Sequence, residues 1–495
     1  MLLLFLAFLL HPGVRAQVTT CQYDNARTGA NLHETALTPA NVNAKQFGKL
    51  FSLPVDGDVY AQPLYVPGIE VPGKSVHNVV FVATEHDSVY AFDAEGKPTE
   101  PLWKVNFLNE QAGVTTVPAP DVRCPFIRPE IGITPTPVID MATGTMYVLA
   151  RTKESQGRFS NARYVQRLHA LAITTGVEKF GGPVEIKAPG FDGLRELPRA
   201  GLLLANGQVY LTWASSCDVA TYHGWVMAYD AKKLAQTAAF NTSPDASESG
   251  IWQSDAAPAA DAEGNIFAAT GNGRFDNRRN WGDTLLKLGR GLQVLDYYTP
   301  LNQQQLNSDD DDLGSGGPML LPGHQLVLGG KGGMLYLLDA RNLGKYQPAN
   351  DAASHRAKQL RGGVYGAPAY WNGHVYVLAR GDVLRDYSVE NGQLNGPVAT
   401  GAQRFIPPAT PAVSANGTRN AIVWTIETKD WNAADRNAVL HAFEAANIAH
   451  EIYSSETVAA RDRVGLCVRF TIPTVVSGRV YVEAKRHVDV YGLLR

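Results

Sequence analysis

The chain has few charges, few cysteines and no long apolar run, and each shortage excludes something. Charged residues fill 18% of its 495 positions, below the ~25% usual for soluble domains. A formal net charge of -3 excludes a globally basic nucleic-acid binder, because neutralising phosphates needs clustered Lys and Arg. No stretch reaches the ~20 apolar residues of a membrane span, so no membrane-crossing helix is expected. The four cysteines form no CxxC or CxxCH, which removes a zinc knuckle and a covalently attached haem c. What is plentiful is glycine, 47 residues, beside 29 prolines and 45% apolar positions. That balance describes an ordered, turn-rich β protein rather than a disordered, coiled-coil or collagen-like one. The length allows two or three average domains or one large repeat fold.

Residues 1–10 are almost wholly apolar, His11-Pro12-Gly13 interrupts any helix there, and Val14-Arg15-Ala16 offers a small-residue cleavage site. A signal peptide over residues 1–16 is expected, with the mature chain starting at Gln17 and secreted or periplasmic. No Lys or Arg precedes the apolar run, so the alternative is a buried N-terminal strand or helix. Val-Thr-Thr before Cys21 is not a lipobox, and no lipid anchor is expected. Cys21, Cys124, Cys217 and Cys467 permit two disulfides in an exported chain, with three pairings open. Four buried free thiols are the alternative.

Self-similarity shows how the chain is organised. A small or turn residue followed by alternating Val, Tyr or Phe recurs along the whole length. Its instances are NVVFV at 78–82, TMYVL at 145–149, GQVYL at 207–211, GNIFA at 264–268, HQLVL at 324–328, GHVYV at 373–377, NAIVW at 420–424 and GRVYV at 478–482. A second strand follows each, as in VYAFD at 89–93, VMAYD at 226–230 and LYLLD at 335–339. A Pro-containing strand precedes most, as in Gln62-Pro63-Leu64, Thr136-Pro137-Val138 and Ala367-Pro368-Ala369. Spacings of roughly 40 to 70 residues suit four-stranded propeller blades with their loops. No run long enough for a βαβ crossover intervenes, which disfavours a parallel α/β sheet. The expectation is an all-β, eight-bladed propeller over 48–495, after an N-terminal segment at 17–47, with seven blades as runner-up. The last unit lacks an outer strand, and GKLFSL at 48–53 is expected to supply it and remove an exposed edge.

Four constellations fall in loops or strand ends of the middle units. They are Ser216-Cys217-Asp218 before His223-Gly224-Trp225, Thr270-Gly271-Asn272-Gly273, Asp309-Asp310-Asp311-Asp312 before a Gly-rich turn, and Lys331-Gly332-Gly333. An Asp cluster on a flexible loop suits a hard cation such as Ca²⁺, which wants several oxygens. The same residues also read as a solvated acidic loop, a tight turn, a surface lysine and a packed histidine, with Trp252 in the core.

In their order these motifs resemble the quinoprotein alcohol dehydrogenase propeller with its pyrroloquinoline quinone (PQQ) repeats, over nearly the whole mature chain. The resemblance implies PQQ and Ca²⁺ as cofactors and no haem, since no haem domain is attached. GWVMAYD at 224–230 matches a family strand, with Asp218 near the position of a Glu metal ligand. Asn272 matches the ligand of a Gly-x-Gly-Asn turn. The Asp run satisfies a catalytic Asp-x-x-Asp motif, so Asp309 is expected as base and metal ligand, with Asp310 as the other candidate base. Lys331 matches a quinone-contacting cation, and Trp252 a stacking floor. The family's vicinal Cys-Cys pair is absent, and a single Cys124–Cys217 bridge between neighbouring units is expected near the same place. Phrases such as TEHDSVY at 84–90 and PEIGIT at 129–134 resemble exported bacterial PQQ-like propellers without assigned activity, and point to His86 and Glu130 as funnel residues. Two functions follow as expectations. One is a dehydrogenase taking an alcohol or sugar and passing electrons to an acceptor. The other is a monomeric, non-catalytic propeller binding a protein or carbohydrate.

Overall fold

A computed structural model describes residues 16–155, 161–348 and 357–494. The expected signal peptide, apart from Ala16, lies outside the described residues. Among those residues no helix is long and apolar enough to cross a membrane.

Eight sheets follow one another along the chain, each built on four antiparallel strands, and they close into a propeller ring. Blade 1 runs from Leu64–Glu70 to Trp103–Asn106, and blade 7 from Ala412–Asn416 to Glu451–Ser454. Each recurring strand of the sequence is the second strand of a blade. Pro63, Pro137 and Pro368 stand immediately before innermost strands, where a missing N–H breaks no ladder bond.

Blade 8 closes the ring. Its inner strand is Thr474–Val476, and its two middle strands are a single doubled-back segment, Arg479–Leu493, whose Gly492 returns against the Gly478 carbonyl. Its outer strand is Phe47–Asp58 from the N-terminal side, pairing Phe51 with Val490 and Leu53 with Val488. The expected closure is thus observed, with a strand longer at both ends.

The core lies between blades rather than inside any one of them. In Gln208–Ser215, every residue of which is buried, Val209, Leu211 and Trp213 join a cluster with blade 2, while Tyr210 joins one with blade 4. Both faces of such a strand are therefore apolar, and period two separates two neighbours rather than core from solvent. Where the recurring strand carries a tyrosine, it can also latch its blade to the next. Tyr147 Oη donates to the Ala231 carbonyl at 2.6 Å and Tyr376 Oη to that of Ala445 at 2.9 Å. Tyr481 Oη reaches Ala94 across the ring closure at 3.4 Å. Where Phe267 replaces the tyrosine, Lys287 Nζ donates to the Ala340 carbonyl instead, at 2.9 Å. The Asp-Ala endings follow from this arrangement. The alanine offers the accepting carbonyl, and the aspartate caps the turn, as Asp230 Oδ1 does for the Lys232 and Lys233 N–H groups.

The segment at 18–31 circles the axis and touches the innermost part of every blade. Val18 pairs with Tyr65, and the Thr19 carbonyl accepts from Ile139. Asn25 Nδ2 donates to the Leu204 carbonyl, and the Asn25 carbonyl accepts from Ala260. Carbonyls of Ala26, Thr28 and Gly29 accept from Leu320, Tyr370 and Val413, and Asn31 Nδ2 donates to Val475. Arg27, fully buried, holds this ring together through the Thr20 hydroxyl and the Cys21 and Pro258 carbonyls.

Candidate functional site

In an antiparallel four-stranded blade, the loop joining strands two and three and the crossover to the next blade emerge at the same end. Each of the four constellations occupies one of these two loop types. Cys217 and Asp218 lie between strands two and three of blade 3, Asn272 in the same loop of blade 4, and Lys331 in that of blade 5. Trp252 and the Asp run lie in the crossovers from blade 3 to 4 and from blade 4 to 5. Topology thus brings residues more than a hundred positions apart to one face.

On that face a cavity of about 590 Å³ is lined by Cys217, Asp218, Trp252, Asp310, Asp312 and Lys331, with an aromatic and apolar rim. Cys217 is disulfide-bonded to Cys124, and that bridge forms the wall. Cys21 and Cys467 are buried free thiols, so one of the two permitted disulfides forms.

The centre of the site is Lys331. Its Nζ lies 2.8 Å from Asp312 Oδ2 and 2.9 Å from Asp310 Oδ1. Burial disfavours the ammonium, but the two carboxylates outweigh it and hold the Lys331 pKa above that of a free lysine. Asp312 is 4% exposed and also accepts the Asn272 N–H at 2.8 Å. Gly271 permits this approach, since a Cβ there would stand 2.1 Å from Asp312 Oδ1 and 2.9 Å from Trp252 Cδ1. The side-chain oxygen of Asn272 and the Trp252 indole N–H are buried and have no partner. Tyr222 donates to Asp218 Oδ1 at 2.5 Å and meets Trp252 edge-on. Asp283, beneath Asp312, is pushed up to about 8 by burial.

The structure therefore gathers Cys124, Cys217, Asp218, Trp252, Asn272, Asp310 and Lys331. Asp309 stands apart. It ends the helix Gln303–Asp309, is exposed, and faces a neighbouring groove beside Arg361 and Arg380. The buried member of the run is Asp312, because Asp310 turns the chain in the left-handed region (φ 57°) and sends the next residues inward. His223 is a packed histidine, its Nδ1 3.1 Å from the Ser243 carbonyl. His86 Nδ1 lies 3.0 Å from Glu130 Oε1 on the same face, outside the cavity lining. Tyr222, Arg199, Arg380 and Arg469 gave no sequence signal, standing singly in loops without a motif. Among the described residues, no three His, Cys, Asp or Glu side chains form a metal-holding group.

The fold is an eight-bladed β-propeller of four-stranded blades, and quinoprotein alcohol dehydrogenases share that architecture. Solved structures with this architecture include the quinohemoprotein alcohol dehydrogenase from Comamonas testosteroni, with a TM-score of 0.60 and 14% identity over 96% of this chain and 80% of that one. A europium-containing methanol dehydrogenase has a TM-score of 0.63 and 14% identity, covering 97% of this chain and 98% of that one. BamB from Moraxella catarrhalis, at 0.54 and 14%, covers 90% of this chain and 99% of that one. At such identities the likeness is one of fold. No protein-family model and no curated protein matches the chain.

Proposed function

We propose that the funnel binds PQQ with Ca²⁺ and that the chain, exported, oxidises an alcohol or a sugar and passes the electrons to an external acceptor. The observation that carries this reading is the meeting of the Cys124–Cys217 bridge, Trp252, Asp218, Asp310 and Lys331 at one cavity. The residues suit a planar anion. An aromatic plane and a disulfide supply flat apolar contacts, and Lys331 supplies positive charge. For the metal, the unpartnered oxygen of Asn272 and the carboxylate of Asp218 are hard donors of the kind Ca²⁺ takes. Among the described residues no three His, Cys, Asp or Glu side chains gather there, so Asn272 and Asp218 are the protein groups that would hold the ion.

PQQ with Ca²⁺, when bound, supplies an electrophilic carbonyl that accepts hydride. The protein's part is placement and proton handling. Asp310 lines the cavity beside the Lys331 ammonium and is the carboxylate positioned to take the alcohol proton. Asp312 anchors Lys331 from below, and Trp252 with the disulfide keeps water from the reacting face.

A second reading, a binding platform without redox chemistry, is favoured by Lys331 already neutralising Asp310 and Asp312. The exposed apolar rim, with Phe126 at 42% and Ile406 at 53%, favours it too. Thermal unfolding of the mature protein titrated with PQQ, with and without Ca²⁺ and then with EDTA, separates the two. Ligand at 100 times its Kd adds about 2.7 kcal/mol. A Ca²⁺-dependent rise supports the quinone site. No shift at saturating PQQ rejects it and leaves the platform.

A further inference from the structure

Behind the disulfide the funnel deepens into a cavity of about 60 Å³ that includes Arg199 and Arg469. The two spaces share Phe126, Cys217, Trp252, Ser254, Arg469 and Phe470 along their walls. Both guanidiniums lie against the Phe470 ring, Arg199 at 5.0 Å and Arg469 at 4.4 Å from its centroid. Arg199 also stacks on Tyr60 at 5.6 Å, and Arg469 on Trp431 at 4.2 Å and Phe126 at 4.4 Å. Arg199 is only 9% exposed. Among the described residues, neither guanidinium has an ion pair or a hydrogen bond.

Two like charges on one ring, Arg199 buried and Arg469 half-buried, are costly as they stand without a counterion. Burial and the neighbouring Arg199 charge push Arg469 down to about 10, which still leaves it charged at neutral pH. The nearest acids do not cancel the pair. Glu85 and Asp255 feel the arginines at a distance without touching them, and burial pushes each up to about 7, toward its neutral form. The aromatic rings fix both guanidinium planes, and a guanidinium fork matches a carboxylate in two parallel bonds. The surrounding wall of Phe126, Trp252, Phe470 and the disulfide is flat and apolar.

We infer that Arg199 and Arg469 form an anion subsite at the base of the funnel that takes the carboxylate of a planar aromatic acid. That carboxylate comes either from the bound quinone, which rests on the reading above, or from a free aromatic acid, which does not.

The experiment is calorimetric titration of the full mature chain with benzene-1,2,4-tricarboxylate, with PQQ, and with benzyl alcohol as the uncharged control. Arg199→Gln and Arg469→Gln are compared with wild type. The expected result is tricarboxylate binding at least tenfold tighter than benzyl alcohol, weakened tenfold or more by either substitution. An equal loss for PQQ assigns the carboxylate to the quinone, and an unchanged PQQ affinity assigns it to a free acid. Failure of PQQ to bind, with arginine-dependent tricarboxylate binding intact, rejects the quinone reading and keeps the subsite. No tricarboxylate binding to wild type, or equal binding to both variants, overturns the subsite. Should a variant not fold, phenylglyoxal labelling of wild type gives the same answer. Tricarboxylate should protect Arg199 and Arg469, and unprotected labelling overturns the proposal.

Discussion

Replacing Lys331 by methionine tests the central arrangement of the site. The substitution keeps the stem's volume and removes the ammonium from between Asp310 and Asp312. Breaking one side of a buried ion pair costs ~3–5 kcal/mol, because the other charge is left unpaired. Two features lower that figure here. Asp312 keeps the Asn272 N–H at 2.8 Å, and the Lys331 side chain is 20% exposed, so water reaches the vacated space. A loss of about 2–3 kcal/mol follows. Asp310, 58% exposed, adds at most about 0.5 kcal/mol. The pH dependence has a definite sign. In the variant, Asp312 retains its burial without the cation, so its folded pKa lies above the unfolded value. The penalty is then present at neutral pH and shrinks as acid protonates the carboxyl. Asp312→Asn alone removes the charge and keeps an acceptor for Asn272, and the double variant should cost clearly less than the two single losses summed. Urea unfolding midpoints at about pH 7.5 and about pH 5 read all of this. A Lys331→Met loss below about 0.5 kcal/mol, the same loss at both pH values, or strict additivity would refute the reasoning.

Four further outcomes follow from the fold. Alkylation in denaturant without reductant should label two of the four cysteines, Cys21 and Cys467, and labelling of all four rejects the bridge. The Cys124–Cys217 link spans 93 residues, and its removal by paired serines should lower stability by about 2–4 kcal/mol. Tyr147→Phe leaves the Ala231 carbonyl without its 2.6 Å donor and should cost about 1–2 kcal/mol, with a smaller loss for Tyr481→Phe, whose contact is 3.4 Å. Equal effects at both positions would contradict the latch. Burial pushes Glu85, Glu196 and Asp255 up to about 7 and Asp283 to about 8. Unfolded carboxyls titrate near 4, so between about pH 4 and pH 8 the folded chain holds more protons, and stability falls as pH rises. A higher urea midpoint at about pH 8 than at about pH 5.5 would reverse that sign and refute it.

The propeller was legible because each blade must solve the same packing problem. The tyrosine of TMYVL or GHVYV serves the next blade's carbonyl, and the aspartate of VMAYD caps the turn that presents such a carbonyl. Those two demands recur around the ring and are met in several units by the same side chains, so they leave a repeat. The ring at 18–31 solves a different problem, the open axis, and does so mostly with backbone groups. Thr19, Ala26, Thr28 and Gly29 bind through their carbonyls, which any residue carries, while Tyr23, Asn25, Arg27 and Asn31 bind through side chains whose partners are not visible in sequence.

The site divides along the same line. Loops between strands two and three carry short motifs that survive reading in one dimension, and Asp218, Asn272 and Lys331 were found there. The crossovers are longer and turn where the backbone permits. Four consecutive Asp offer no way to choose a register, and the choice falls to Asp310. Its left-handed φ of 57° leaves Asp309 on an exposed helix end and sends Asp312 under Lys331. Arg199 and Arg469 lie beyond reach for a further reason. They stand in crossovers of different blades, 270 positions apart in the chain, and acquire meaning only when ring closure lays both on the one Phe470 ring. A funnel built at the axis of a closed ring takes its deepest residues from loops that are farthest apart in sequence. Its innermost chemistry is therefore the part that a linear reading reaches last.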